Sequence, residues 1–194
     1  MSKLITDEQI KALAKQYDID VACLKAVIEV ESSGRGFLNG LPKILYEPHI
    51  MYRLLTQKNK ITIRGKLTKE KPQLCYPKWG TYRYGLSSSQ HGRLEQASQY
   101  DRDTALESCS WGMGQVMGFH WKSLGYPSLQ AFVNAMYKDE ASQIDAMLRF
   151  IKTNKLITPL KQCQWSVFAK GYNGAGFAKN QYHIKLRKAF NKHK

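Results

Sequence analysis

Apolar positions recur with a helical period along most of the 194 residues. Thr6-Asp7-Glu8-Gln9 has the form of a capping box ahead of Ile10, Leu13 and Ala14. Asp20 predicts the N-cap of a second helix running to about Glu31, stopped by Ser-Ser-Gly at 32–34. A third is expected after Pro48, burying Ile50, Met51, Leu54 and Leu55. The segment 58–90 interrupts the pattern: Ile61 and Ile63 alternate, and prolines, glycines and aromatic residues cluster, so it predicts loops with a short hairpin. Helices resume over 93–100 and 103–109, from Ser128 to Met136, and from Asp139 to about Thr153. Thr158-Pro159 predicts an N-cap and first helical position for a helix reaching Lys170. No repeat or low-complexity linker divides the chain. The expected fold is mainly α, a single domain over 1–194 with a small irregular or β-rich insertion.

Charge adds a second pattern. Thirty Lys and Arg against fifteen Asp and Glu leave a net charge of +15. Between Pro48 and Arg93 ten basic residues meet one acid, Glu70, and after Asp145 there are eleven bases and no acid. Two basic regions thus join a mildly acidic body, which calls for a polyanionic partner: nucleic acid, an anionic membrane or an acidic wall polymer. The stretch at about 179–192 predicts a basic C-terminal helix. Tyr182, Leu186 and Phe190 share one face, with Lys185, Arg187, Lys188 and Lys192 around it. Two readings are open: a helix seeking a membrane or lipopolysaccharide surface, or a terminal helix docked by its apolar stripe.

Other classes are excluded by what the chain lacks. No run of about 18 apolar residues offers a membrane span. The N-terminal residues lack a secretory signal, so synthesis in the cytoplasm with export by another agent is expected. Cys23, Cys75, Cys109 and Cys163 show no paired zinc spacing and read as buried thiols. The five histidines show no ligand spacing either, so neither metal nor cofactor is expected.

One carboxyl group breaks the hydrophobic pattern. At about 100° per residue, Glu31 falls within roughly 20° of Leu24 on the helical wheel, between Val27 and Ile28. Glu29 points away, four residues after Lys25, as a solvent-facing ion pair would. Desolvation at the core-facing position favours the neutral acid, the form a general acid needs. The plain alternative is that Glu31, in the last turn, swings to solvent or pairs with a base.

The string Ala26-Val-Ile-Glu-Val-Glu-Ser-Ser-Gly-Arg-Gly-Phe37 resembles the first motif of the lysozyme-like superfamily. Ser110-Trp-Gly-Met-Gly-Gln-Val-Met117 is similar to the Gly-Leu-Met-Gln segment of soluble lytic transglycosylases and goose-type lysozymes. Phe168-Ala-Lys-Gly-Tyr-Asn-Gly-Ala-Gly176 resembles their Ala-Tyr-Asn-Ala-Gly segment. Together with Pro42-Lys-Ile-Leu-Tyr-Glu-Pro-His49, the strings resemble the N-acetylmuramidase family of phage endolysins over roughly residues 10 to 190.

The resemblance implies a lysozyme-like fold and cleavage of the bond between N-acetylmuramic acid and N-acetylglucosamine. Glu31 would be the acid. Glu47 would be the second carboxylate, as base, stabilising charge or sugar ligand, unless it serves only as the N-cap before Pro48. Gln115, Tyr172 and Asn173 would bind the glycan, with neighbouring glycines allowing close backbone approach. Trp79, Tyr82 and Tyr84 read equally as sugar-stacking or loop-packing residues. The implied partners are peptidoglycan, an anionic outer envelope or lipopolysaccharide, and a holin for release. The protein would be a monomer acting in the periplasm or cell wall. Three rivals remain: a lytic transglycosylase giving 1,6-anhydro products, a nucleic-acid-binding protein, which lacks a recognition motif, and a membrane-active basic protein.

Overall fold

The computed structural model describes residues 3–32 and 34–194; Ser33, within the predicted stop signal, lies outside them. The chain forms two compact units. The first comprises residues 1–37, 112–114 and 138–194, and the second 38–111 and 115–137.

The first unit is helical. Helix α1 (Asp7–Gln16) starts with the predicted capping box: Thr6 accepts from the Gln9 amide, and the Gln9 side chain accepts from the Thr6 N–H. Helix α2 (Val21–Glu31) is capped by Asp20, whose carboxylate accepts from Ala22 N at 2.6 Å. Leu24 and Val27 are fully buried, as the wheel requires; Ala26, on the opposite side, is buried as well, and Ile28 is half-buried.

The unit's other helices lie late in the chain: α7 (Glu140–Thr153), α8 (Ile157–Lys161), α9 (Trp165–Asn173) and α10 (Tyr182–His193). Asp139 caps α7 through Ser142 N at 2.7 Å. The helix expected from Pro159 to Lys170 is instead two. Cys163 adopts a left-handed conformation (φ 53°) between α8 and α9, and this turn lets both Leu160 and Trp165 bury. The basic terminal helix is present and packs along α2 and α9. Its buried residues are Leu186 and Ala189, while Tyr182 and Phe190 are half-buried. Phe190 lies against Trp165 with ring centroids 5.4 Å apart.

The second unit holds α3 (Pro48–Gln57), α4 (Ile61–Glu70), α5 (Gln90–Glu107) and α6 (Leu129–Lys138). Helix α3 buries the four apolar residues expected of it. Helix α4 replaces the predicted hairpin: Ile61 is exposed and only Leu67 is buried. The Ile61–Ile63 alternation thus carried no strand, and the good helix formers Arg64, Lys66, Leu67, Lys69 and Glu70 prevail. Helix α5 joins the two predicted helices across a kink at Asp101, whose carboxylate caps Thr104 N at 3.0 Å.

The β structure lies outside 58–90. Strand β1 (Phe37–Leu38) pairs with β2 (Leu41–Pro42) across Asn39-Gly40, both at positive φ, which is the commonest hairpin turn pair. Strand β3 (Ile44–Tyr46) pairs antiparallel with β4 (Cys109–Trp111), which pairs with β5 (Val116–Met117).

Candidate active site

Glu31 ends α2 and is half-buried. Its Oε2 accepts a hydrogen bond from Asn173 Nδ2 at 2.9 Å. Its Oε1 is buried and, among the described residues, has no partner, and the same holds for Asn173 Oδ1. Burial raises the Glu31 pKa to about 6, against the opposing pull of the Asn173 hydrogen bond and the Lys185 charge. Desolvation wins because the carboxyl sits on the apolar side of α2. Half of such groups are therefore protonated near pH 6, with one oxygen facing no protein acceptor.

The partner comes from the end of α9. Asn173 is its last residue, and Gly174 at φ 78° turns the chain away. Tyr172 stacks on Phe168 (centroids 5.6 Å apart, 12° between planes) and meets Phe150 edge-on. Its hydroxyl donates to Gly114 O at 3.1 Å. Burial first, and the Glu31 charge second, raise the phenol's pKa, so it remains a donor. Tyr172 thus joins the helix bearing Asn173 to the Gly112-Met113-Gly114 segment.

That segment is held from the other side by α7. Gln143 Oε1 accepts from Met113 N at 3.0 Å, and Gln143 Nε2 donates to Gly36 O at 3.2 Å. Glu140 Oε1 accepts from Gly36 N at 2.8 Å and its Oε2 from Ile5 N at 3.0 Å. Both side chains are buried. Three of the glycines expected to admit the glycan admit protein instead, while Gly174 and Gly176 face open space. A Cβ on Gly112 would lie 2.7 Å from Gln143, one on Gly114 would lie 2.7 Å from Met147, and one on Gly171 would lie 2.4 Å from Leu156. The helical phase that marks Glu31 also marks Glu140 and Gln143 in the sequence. They precede Ile144 and Met147 by four residues on the buried face of α7.

Glu47 and Gln115 belong to the second unit. Glu47 occupies the N-cap position of α3, but its side chain makes no capping bond. Its Oε2 instead accepts from the Tyr84 hydroxyl at 2.5 Å, with His49 Nδ1 at 3.3 Å. Burial and the Glu47 carboxylate together raise the Tyr84 pKa, so Tyr84 is the donor. Gln90 fixes the Tyr84 segment by donating to Tyr84 O at 2.7 Å and Leu86 O at 3.1 Å. Nearby, Tyr76 and Tyr82 meet edge-to-face, and Trp79 is 68% exposed. Tyr46, by contrast, is core: it is fully buried and donates to Leu74 O at 2.8 Å. Gln115 stands at φ 46° in the β4–β5 turn, its Oε1 accepting from Ser110 Oγ at 2.9 Å.

The cations of α10 divide. Lys185 is exposed, lies over the Tyr182 ring and faces Glu31 electrostatically. Arg187 lines a hollow beside α9, and Lys188 is exposed. Lys192 is committed to Glu29 (3.0 Å), together with His193 (2.8 Å). The expected Lys25–Glu29 pair is not made, because Lys25 reaches Asp7 at 2.8 Å. Glu29 faces solvent as the wheel predicts, but it ties α10 to α2.

Comparison with known proteins shows the family. The family model described as N-acetylmuramidase matches residues 20–194. A crystal structure of a Burkholderia AP3 phage endolysin is similar, with 42% identity and a TM-score of 0.88 over all of this chain and 72% of that one. No curated protein matches.

Proposed function

We propose a division of labour for a chain that belongs to the N-acetylmuramidase family and is a glycoside hydrolase acting on peptidoglycan: Glu31 is the proton donor, and Glu47 the second carboxylate. The observation that carries the first assignment is the Glu31 carboxyl itself. It is raised to about pH 6 by burial, steadied on one oxygen by Asn173 and without a protein acceptor on the other. In that state Glu31 gives its proton to the glycosidic oxygen as the C1–O bond breaks, so the leaving sugar departs as a neutral alcohol. Asn173 keeps the free oxygen aimed at the glycan and offers its own unpartnered carbonyl to a sugar N–H or O–H. Tyr172 acts mainly as a positioning residue, since its hydroxyl is taken by Gly114.

Glu47 answers the positive charge that develops at the anomeric carbon. The support is its environment: Tyr84 and His49 converge on one carboxylate oxygen and fix its direction. Gln115 binds the glycan through its amide. Trp79 offers an exposed aromatic face on which a sugar ring stacks.

The same reading makes the chain an endolysin. Supporting it are the likeness to the Burkholderia phage enzyme and the finding that no described helix is long and apolar enough to cross a membrane. It is made in the cytoplasm, passes to the periplasm through a holin-type partner and works there as a monomer. Lys185, Arg187 and Lys188 engage the anionic envelope, and nucleic acid is not a partner.

The test is turbidity clearing of purified peptidoglycan, with products read by mass spectrometry. Glu31→Gln should lower clearing by at least about a hundredfold, the lower range for losing a general acid, with the fold retained. Near-normal clearing would remove Glu31 from the chemistry. Release of 1,6-anhydro products would replace hydrolysis by transglycosylation.

A further inference from the structure

We propose that Cys163 and Cys23 form a redox-active dithiol, which a small disulfide oxidises to an intramolecular Cys23–Cys163 disulfide. Both are free thiols in the first unit, and they differ in access. Cys23 is buried in the first turn of α2 at 1% exposure, while Cys163 is half-buried in the turn between α8 and α9. The two meet at one carbonyl: Cys23 Sγ lies 3.6 Å from Leu160 O, and Cys163 N donates to that same oxygen at 3.1 Å. The Cys163 side chain also acts on the Cys23 thiol, being among the causes that push its pKa up. The left-handed turn at Cys163 brings this about, since it ends α8 and folds the residue back onto the Leu160 carbonyl.

An entry route is present on the Cys163 side. A hollow of about 290 Å³ is lined by Cys163, Trp165, Ser166, His183 and Arg187, among others. No acidic residue follows Asp145 in the chain, and Arg187 in the lining suits a disulfide that carries carboxylates, such as oxidised glutathione. Peptidoglycan lies outside the reducing cytoplasm, where disulfides persist, so the oxidant class belongs to the place where this enzyme meets its substrate.

The order of steps follows from access and acidity. The Cys163 sulfur attacks one sulfur of the small disulfide, whose S–S bond breaks, and one thiol leaves carrying the Cys163 proton. Cys23, with its thiol pushed up to about 12 by burial and by Cys163, is the resolving group. It attacks the Cys163 sulfur of the mixed disulfide, and its proton leaves on the second departing thiol. Two protein thiols and one small disulfide thus become one protein disulfide and two small thiols. Cys75 and Cys109, buried in the second unit and bonded to Thr68 and Ala105 O, serve as internal controls.

The experiment treats the folded full chain with oxidised glutathione, then denatures it and alkylates all remaining thiols for intact-mass and peptide mapping. Two of the four thiols should escape alkylation, and the Cys23 and Cys163 peptides should be joined. Cys23→Ser should stop at one glutathione on Cys163, and Cys163→Ser should leave Cys23 fully alkylatable. Four alkylatable thiols in the wild type, or a linkage involving Cys75 or Cys109, would overturn the assignment. The wild-type map decides this even if the Cys23 variant does not fold.

Discussion

A carboxyl held above its ordinary pKa leaves a thermodynamic trace that is measurable without substrate. Glu31 is raised from 4.5 to about 6, and that gap corresponds to about 2 kcal/mol. Its sign is fixed by linkage. Below pH 4.5 the carboxyl is protonated in the folded and unfolded chains alike, and the folded state keeps the full benefit. As pH rises the unfolded chain ionises first, so stability falls through the window from 4.5 to about 6. Above it, the folded protein carries a poorly solvated carboxylate.

Glu31→Gln is neutral at every pH, and its amide oxygen still accepts from Asn173. At pH 4 the two proteins should therefore match. At pH 8 the variant should be more stable by up to about 2 kcal/mol, or roughly 4–8 °C in thermal midpoint. The assay is a pair of melting curves at each pH. Other titrating groups are common to both proteins and cancel in the difference. A difference independent of pH, or a variant weaker than wild type at pH 8, would refute the claim that burial dominates at Glu31.

Activity should follow the same group: kcat/KM should decline above about pH 6, and Lys185→Met should move that limb to higher pH by removing a charge that favours the carboxylate. Tyr84→Phe removes a donor to Glu47 and should lower kcat about tenfold with little change in KM or melting; an unchanged kcat would detach Glu47 from the reaction. Glu29→Gln should cost no more than about 1 kcal/mol, because its pair with Lys192 is exposed, and wall clearing should persist. Gly36→Ala would place a Cβ 2.0 Å from Gln143 Oε1 and should cost about 2–4 kcal/mol by overpacking and lost hydrogen bonds, visible in urea unfolding.

What the sequence revealed depended on whether the controlling forces were local. The caps at Thr6 and Asp20 are bonds across two or three residues and form as expected, and Asp139, expected only to begin its helix, caps it too. The cap expected at Thr158 does not form, because Thr158 lies inside α8, whose N-cap is Leu156. The wheel separated Glu31 from Glu29 because burial follows helical phase. It failed where partners come from elsewhere in the chain. Lys25 has Glu29 within one turn yet pairs with Asp7, while Glu29 finds Lys192. Glu47 has the right position to cap α3, but Tyr84, thirty-seven residues on, claims its carboxylate. Ile61 and Ile63 alternate like a strand, yet they lie in α4, whose one buried residue is Leu67. The Asn39-Gly40 turn is local, and its own chemistry marks it in the sequence.

The basic excess and the acid pull in opposite directions, and the position of Glu31 resolves the conflict. A chain of net charge +15 suits an anionic wall, but every nearby cation favours ionised carboxylates and so works against a proton donor. The surface acids of the first unit show the ordinary outcome: Asp7 beside Lys25 and Glu29 beside Lys192 are both pushed below their usual range. Glu31 faces Lys185 and a hydrogen-bond donor as well, yet it moves the other way. The difference is desolvation, which screened surface charges cannot match. Two residues of helical phase therefore separate a carboxylate that fastens α10 from an acid that keeps its proton. On the proposed reading, a basic enzyme offsets the pull of its own cations on a general acid by placing that acid on the buried face.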